Sequence, residues 1–279
     1  MPEPSAAPPA NHPADDPRRA VIGDLRAEGE ELDALVTGLP AADWARPTPA
    51  AGWTLAHQIA HLAWTDRAAL TALTDPEGFA GLVAEAMAAP ERFVDDAAEA
   101  GAARPPAELL ADWRAGRAAL DRALTAASPD TRFPWYGPPM KAATLASARL
   151  METWAHGQDV ADTLGVVRPP TERLRHVVRI GFATRDFAHQ VRGLPVPDAL
   201  FHVKLRAPGG GLWEYGPADA EQRVTGTALD FCLLVTRRAH RADLDLKAEG
   251  AETDRWLDIA QSFAGPPGAD PEPRARDAR

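Results

Sequence analysis

Cysteine is nearly absent from the sequence, and long apolar runs are absent altogether. The single cysteine, Cys232, cannot form an internal disulfide, and it lies in the apolar run ALDFCLLV. Such a residue indicates an inert, buried thiol in a reducing compartment. The N-terminal stretch MPEPSAAPPANHPADDP has no apolar core of the kind found in secretory signals. No later segment reaches the roughly 18 uninterrupted apolar residues of a membrane-spanning helix. The sequence therefore predicts a soluble, cytoplasmic protein with no membrane partner.

Basic residues are also fewer than acidic ones. The 30 lysines and arginines are outnumbered by 40 aspartates and glutamates, which gives a formal net charge of -10. Binding to nucleic acid or to an anionic membrane surface needs clustered basic side chains. Hydrophobic residues make up 45% of the chain and charged residues 25%, which is typical of globular proteins. We expect a small-molecule substrate, no nucleic-acid partner, and either a monomer or a homodimer.

The pattern along the chain changes once between two irregular ends. Proline, alanine and charged residues without periodicity predict disordered tails at 1–17 and 267–279. Residues 18–194 have the apolar spacing of amphipathic helices, whereas 195–266 combine short β-type segments with helices. The predicted fold class is mainly α, with an N-terminal four-helix bundle followed by a small α+β C-terminal domain.

The helix and strand boundaries are predicted from proline, glycine and capping residues. Gly165 ends the last long helix of the bundle, and residues 171–193 predict one further helix. The segment 128–140 is too rich in proline to be helical. The long helices are predicted at 18–39, 54–73, 106–127 and 141–164, and the strands at 200–207, 212–217, 221–227 and 243–250.

The stretch RLMETWAHGQDVADTLG, residues 149–165, places Glu152 and His156 four residues apart in apolar surroundings. On a helix these two side chains share one face and can contact the same ion. A carboxylate buried there without a partner would be strongly unfavourable. A metal site, an ordinary ion pair and a half-exposed helix face all fit this spacing on its own.

A second pair lies in AHQIAHLAW, where His57 and His61 are again one helical turn apart among apolar residues. Two bundle helices would then each present metal-binding groups to the interior. Three such groups, with a position left for water, form an open and catalytic type of metal site. Each histidine taken alone is better explained as a hydrogen-bonded core residue.

Together, AGWTLAHQIAHLAW and ARLMETWAHGQDVADTLGV resemble the DinB-like superfamily. More narrowly, they resemble its branch of thiol-dependent maleylpyruvate isomerases, which in actinobacteria use mycothiol. The resemblance implies a four-helix bundle that binds a divalent metal, usually zinc, and a C-terminal domain similar to sterol-carrier folds. It assigns the metal ligands to the histidine that precedes leucine and to the Glu-x-x-x-His motif. Those positions are His61, Glu152 and His156.

The same resemblance implies a cofactor, namely mycothiol or another small thiol. Its thiolate would add to an activated double bond or displace a leaving group, so the expected activity is isomerisation or S-transfer on a small electrophile. Because the family uses basic residues of its C-terminal domain, Arg237 and Arg238 are candidates for binding the cofactor. Cys232 is a poor nucleophile, since apolar surroundings disfavour a thiolate.

Two aspartates are candidates for supporting the ligands. Asp159 lies three residues after His156 and is placed to orient that ring, as metal-bound imidazoles usually require. Asp66, five residues after His61, is a looser candidate. For both, a solvated position on the helix surface is the simpler interpretation.

The loop FPWYGPPM precedes the helix with the Glu-x-x-x-His motif, and its Trp135 and Tyr136 are candidates, with His57, for a substrate pocket. A hydrophobic plug at the end of the bundle explains the same loop. Two other functions stay open at this point: a thiol-independent lyase, cyclase or hydrolase that keeps the metal, and a non-enzymatic protein that binds a small molecule.

Overall fold

The structure, a computed structural model, describes residues 17–268 and 271–273. The tail predicted at 1–17 lies outside these residues apart from Pro17, where the first helix begins. Of the tail predicted at 267–279, only 267–268 and 271–273 are described. Among the described helices, none combines the length and the apolar character that spanning a bilayer demands.

Four long helices and two short ones form the N-terminal region: α1 (Pro17–Val36), α2 (Leu55–Thr74), α3 (Pro76–Ala88), α4 (Phe93–Ala102), α5 (Pro106–Ala126) and α6 (Ala142–Leu164). Local chemistry sets their ends. The backbone N–H of Thr54 donates to Nδ1 of His57 at 3.2 Å, which closes the first turn of α2. Asp75 accepts from the backbone N–H of Gly78 at the start of α3. Gly165 ends α6 in the left-handed conformation, with φ 71°.

Helix α2 is central in this bundle. It contacts α4, α5 and α6, while α1 packs against α5 and α6. All four long helices contribute buried residues to one apolar cluster, among them Leu32, Ile59, Trp113 and Val160. Helix α4 approaches α2 so closely that a Cβ at position 101, which is glycine, would lie 2.7 Å from the Cβ of Ala60.

The C-terminal region adds helices and a four-stranded sheet: α7 (Leu174–Ala183), α8 (Arg185–Gln190), a sheet, α9 (Ala228–Val235) and α10 (Ala251–Ile259). A hairpin of two short strands, β1 (Arg132–Phe133) and β2 (Met140–Lys141), precedes α6 in the chain. The sheet strands are β3 (Phe201–Arg206), β4 (Leu212–Tyr215), β5 (Gln222–Thr227) and β6 (Leu246–Glu249), in the spatial order β4-β3-β5-β6. Strand β3 is antiparallel to β4 and parallel to β5, with Val203 opposite Val224, and β5 is antiparallel to β6.

Helix α6 packs against both regions and uses a different face for each. Leu150, Met151 and Trp154 pack in one cluster with buried residues of α7, the sheet and α9, among them Phe231. Glu152 points instead toward α2, where it contacts His61. The helix that carries the Glu-x-x-x-His motif is therefore enclosed between the bundle and the C-terminal core.

The predicted mainly α fold with a sheet-containing C-terminal region is confirmed. The single helix predicted at 171–193 is wrong, because the chain forms α7 and α8 with a break at Thr184. The Thr184 hydroxyl donates to the carbonyl of Ile180 at 3.0 Å and to that of Gln261 at 2.7 Å. The backbone of Thr184 departs from helical values, with φ −92° and ψ 10°, so that α7 ends before it and α8 begins after it. The loop predicted at 128–140 also contains the β1–β2 hairpin, and the boundary at 194/195 stays a prediction.

Candidate metal centre

The structure brings His61, Glu152 and His156 together between α2 and α6. Nε2 of His61 lies 3.2 Å from Oε2 of Glu152, and Nε2 of His156 lies 3.3 Å from the same oxygen. One ligand atom from each residue falls within 4.8 Å of the others. The Glu152 side chain is 21% exposed and those of the histidines 9% and 11% exposed, so the cluster is buried on most sides but reachable by solvent.

Gln58 orients the His156 ring. Its Oε1 lies 2.5 Å from Nδ1 of His156, and its amide Nε2 donates to Oγ1 of Thr48 at 2.8 Å. Because an amide oxygen can only accept, Nδ1 of His156 carries the ring proton. Nε2 of His156 then keeps its lone pair and directs it toward Glu152. This places two electron-rich atoms, a ring nitrogen and a carboxylate oxygen, against each other.

The charge states suit a cation. Burial raises the pKa of Glu152, but its contacts with His156 and His61 outweigh burial and hold that pKa well below the ordinary value. Burial, followed by the charge of His61, lowers the pKa of His156 from 6.5 to about 3. At neutral pH the pair therefore consists of a carboxylate and a neutral imidazole, which are the forms that coordinate metals.

The donor set fits a divalent metal such as zinc. Two imidazole nitrogens and one carboxylate oxygen are a ligand set that zinc accepts, and they leave a coordination position open. Within the described part of the chain, Nδ1 of His61 is buried and has no hydrogen-bond partner. A neutral His61 ring carries one proton: with that proton on Nδ1, Nε2 is free to bind a metal, and with it on Nε2, the ring donates to Glu152 at 3.2 Å.

The two aspartates expected to support the ligands have other partners. Oδ2 of Asp159 is 3.9 Å from Nδ1 of His156, too far for a hydrogen bond, and it pairs instead with Nη2 of Arg238 at 2.8 Å. The expectation that Asp159 orients His156 is therefore wrong, since the side-chain amide of Gln58 makes that hydrogen bond. Asp66 is buried and accepts from Nε of Arg149 at 3.0 Å. It forms an ion pair between α2 and α6 and makes no hydrogen bond with His61 in the described residues.

Aromatic rings surround the cluster on the side of α4. The Trp53 ring stacks on His156 at 5.8 Å between ring centres, with 17° between the planes, and lies 5.3 Å from His61. Trp64 lies 5.9 Å from His61. Tyr136 is one ring further out, 6.4 Å from Trp64. These rings form a half-buried wall that begins at the two histidines.

Trp135, like its neighbour Tyr136, is half-buried and packs against Phe79. It stacks on the fully buried Phe79 at 5.8 Å, with 13° between the planes. Its place is in the apolar cluster at that end of the bundle. Both rings therefore belong to the apolar cluster at that end of the bundle, with Tyr136 5.1 Å from Phe79, and the substrate pocket stays a prediction.

His57 and Arg237 are not brought into the cluster. His57 lies at the start of α2, with Nδ1 2.8 Å from Oγ1 of Thr54 and Nε2 2.7 Å from Oε2 of Glu99. Arg237 has a left-handed backbone, with φ 57°, and lines a cleft of about 530 Å³ in the C-terminal region with His240. None of His61, Glu152 and His156 lines that cleft. Arg238, by contrast, reaches the edge of the site through Asp159.

Sequence reasoning missed two residues of the site, Gln58 and Trp53. Gln58 lies three positions before His61, so the same helix face carries both, and this spacing was the available signal. Trp53 lies in the motif AGWTLAHQIAHLAW that carried the resemblance, but it precedes the helix. Its position over the two imidazoles depends on the turn before α2 and could not be derived from helical spacing.

The fold and the convergent cluster define a helical-bundle protein with a candidate metal centre, and comparison with known proteins identifies its family. Residues 25–161 match the family model described as mycothiol maleylpyruvate isomerase N-terminal domain. Two uncharacterized proteins of Mycobacterium tuberculosis, from different strains, are each 58% identical over 247 residues, which is 88% of this chain and 96% of theirs. The chain belongs to the mycothiol maleylpyruvate isomerase family.

Solved structures agree with this assignment at the level of the fold. Two crystal structures of a mycothiol-dependent maleylpyruvate isomerase, one of them of a mutant, superpose with TM-scores of 0.58 and 0.57. Both share 18% sequence identity and cover 86% of this chain and 97% of their own. In addition, residues 197–248 match a family model described as wyosine base formation.

Proposed function

We propose that this protein is a metal-dependent enzyme that uses a low-molecular-weight thiol of the mycothiol type. The proposed reaction is isomerisation of a small unsaturated substrate or S-transfer to a small electrophile. The observation that carries the proposal is the convergence of one possible ligand atom from each of His61, Glu152 and His156 within 4.8 Å of one another. Membership of the mycothiol maleylpyruvate isomerase family supports the thiol part of the proposal.

The chain's own residues supply the binding site and its order. His61 from α2 and the pair Glu152 and His156 from α6 would hold a divalent ion, zinc being the expected one. Gln58 fixes the His156 ring through the 2.5 Å hydrogen bond to Nδ1, which leaves Nε2 available. Trp53 covers both rings and limits the access of water from that side.

A bound divalent ion would lower the pKa of a thiol or of water in the open position, and so favour the nucleophilic form near neutral pH. The chemistry that a thiol supplies in such an isomerisation is reversible addition to the activated double bond, rotation about the resulting single bond, and departure. Cys232 takes no part, because it is fully buried and burial raises its pKa well above the ordinary value. The proposed substrate is a small molecule.

The metal part is tested by elemental analysis of the purified protein beside two alanine variants. His61→Ala should lose most of the bound metal because it removes one of three ligands. His57→Ala is the matched control, since it removes a histidine one turn earlier on α2 that contacts Thr54 and Glu99 instead. Equal metal content in His61→Ala and in the unmodified protein would refute the site.

The thiol part is tested by incubating the metal-loaded protein with maleylpyruvate and with simple unsaturated electrophiles, with and without mycothiol. We expect isomer or thioether product only when the thiol is present. Turnover that is independent of any thiol would exclude the proposed reaction while leaving the metal centre in place.

A further inference from the structure

A chain of hydrogen bonds runs from His156 to the loop before α2. Nδ1 of His156 lies 2.5 Å from Oε1 of Gln58, and Nε2 of Gln58 donates to Oγ1 of Thr48 at 2.8 Å. The Thr48 hydroxyl in turn donates to the carbonyl oxygen of Trp53 at 3.0 Å. Gln58 is fully buried, so an amide end that faced the wrong partner there would be unfavourable.

The loop end of this chain is held by its own backbone. The carbonyl of Trp53 also accepts from the backbone N–H of Thr48 at 2.8 Å. Pro47 and Thr54 form an antiparallel bridge at the base of the loop, and Gly52 turns the chain at its tip with φ 80°. The position of the Trp53 carbonyl is therefore set by the loop and not by the site.

That carbonyl gives the whole chain one direction. A backbone carbonyl can only accept, so the Thr48 hydroxyl uses its single proton on Trp53. The oxygen of Thr48 is then an acceptor and has to face the NH₂ end of the Gln58 amide. The amide oxygen is thereby turned toward His156, whose Nδ1 carries the ring proton. The opposite amide orientation would set two acceptors, from Thr48 and Gln58, against each other.

His156 has a competing tautomer that this direction excludes. With its proton on Nε2, the ring would donate to Oε2 of Glu152, which lies 3.3 Å away, and such a charge-assisted hydrogen bond is strong. The same proton would block Nε2 as a metal ligand. The tautomer that can bind a metal at Nε2 therefore depends on support at Nδ1, on the opposite side of the ring.

We infer that Thr48 is a positioning residue of the candidate metal centre. Through Gln58 it holds His156 in the tautomer whose Nε2 is free, and it takes its own direction from the Trp53 carbonyl. The inference rests on the proposed function for the metal. It adds a residue that lies two hydrogen bonds from the ligand His156.

The tautomer is tested in the metal-free protein. Thr48→Val removes the hydroxyl and keeps the shape of the side chain. Nitrogen chemical shifts of the histidine rings near neutral pH show which nitrogen carries the proton, and the signals of His156 are assigned by their loss in His156→Gln. We expect the proton on Nδ1 in the unmodified protein and a shift of the population toward Nε2 in Thr48→Val.

Zinc affinity is the second measurement, by competition with a chromogenic chelator. Thr48→Val should bind zinc about 2- to 10-fold more weakly, which is the range that one net hydrogen bond covers. Thr48→Ser keeps the hydroxyl and should stay within about two-fold of the unmodified protein. Thr71→Val is the matched control, since Thr71 is on α2 and donates to the carbonyl of Arg67 at 3.0 Å. It should change neither measurement.

A proton on Nε2 of His156 in the unmodified, metal-free protein would overturn the inference, whether or not the variants fold. A Thr48→Val protein that keeps either the tautomer or the zinc affinity of the unmodified protein would overturn it as well. So would an equal loss of affinity in Thr71→Val. The proposed function fails separately: if the unmodified protein binds no zinc, its metal part is refuted, and the tautomers of His156 still decide the role of Thr48.

Discussion

Replacing Gln58 by leucine should weaken metal binding without removing any ligand. Leucine is close in size to glutamine but cannot accept the proton of His156 Nδ1, which now lies 2.5 Å from the amide oxygen. The ring would lose its fixed rotation, and a buried N–H would lose its partner, at about 1–3 kcal/mol. Partners of this kind change metal affinity by about 10- to 100-fold, which corresponds to roughly 1.4–2.7 kcal/mol.

The measurement is a zinc dissociation constant obtained by competition with a chromogenic chelator. Gln158→Leu is the matched control, because Gln158 is on the ligand helix α6 but donates to Asp162 at 2.8 Å and not to a ligand. Gln58→Glu is a second comparison: it keeps an acceptor at the same place and should retain most of the affinity.

The reasoning is refuted if Gln58→Leu binds zinc within about two-fold of the unmodified protein while His61→Ala does not bind it. That result would mean that the ring of His156 is held by packing alone. A fall in affinity of the same size in Gln158→Leu would also contradict it, because the effect would then belong to α6 as a whole.

Three further predictions concern stability and reactivity. Asp66→Asn leaves the buried charge of Arg149 without its carboxylate and should lower the free energy of unfolding, measured by urea titration, by about 3–5 kcal/mol. The apolar double variant Asp66→Leu with Arg149→Met leaves no buried charge and should recover most of that stability. Cys232 should resist iodoacetamide in the native protein and react only in denaturant, because burial raises its pKa; rapid alkylation of the native thiol would contradict this. Burial lowers the pKa of His176 despite its 2.8 Å contact with Asp24, so the unfolded chain binds more protons below the ordinary pKa of 6.5. The contribution of His176 to stability is present above that pH and is lost as pH falls, with a slope of at most about 1.4 kcal/mol per pH unit. In His176→Gln the urea concentration at the unfolding midpoint should therefore depend less on pH between about pH 7.5 and 5.5.

Local rules were enough to predict most of the bundle. Proline and glycine stops gave the long helices to within a few residues, and Gly165 ends α6 as expected. Thr184 shows the limit of such rules. The break between α7 and α8 falls at this residue, whose hydroxyl donates to the carbonyl of Gln261 at 2.7 Å, and a partner 77 residues later has no trace in local sequence.

The ligand-type residues were predictable for a different reason. Helical spacing paired Glu152 with His156, but it treated His57 and His61 alike. The family resemblance selected His61, and the structure places that residue against Glu152. Spacing could not decide between the two because the choice depends on how deeply each turn of α2 is inserted between its neighbours.

The supporting partners were the least predictable part. Asp159 is one turn from His156, and its choice of Arg238 as partner depends on a residue that follows α9 in the C-terminal region. The hydrogen bond from His156 to Gln58 depends on the rotation of α2 relative to α6. Both are properties of tertiary packing, which periodicity within a single helix does not contain.

The enclosure of α6 means that the candidate metal centre is not a module separable from the C-terminal core. Excising everything after Gly165 would leave Leu150, Met151 and Trp154 facing water, on the very helix that carries two of the three ligand-type side chains. Swapping the C-terminal portion for that of a distant relative would replace the residues that pack against α6, the helix of Glu152 and His156, whereas His61 is on α2. Any substitution in the sheet or α9 that alters this packing therefore acts on the ligand-type side chains through α6.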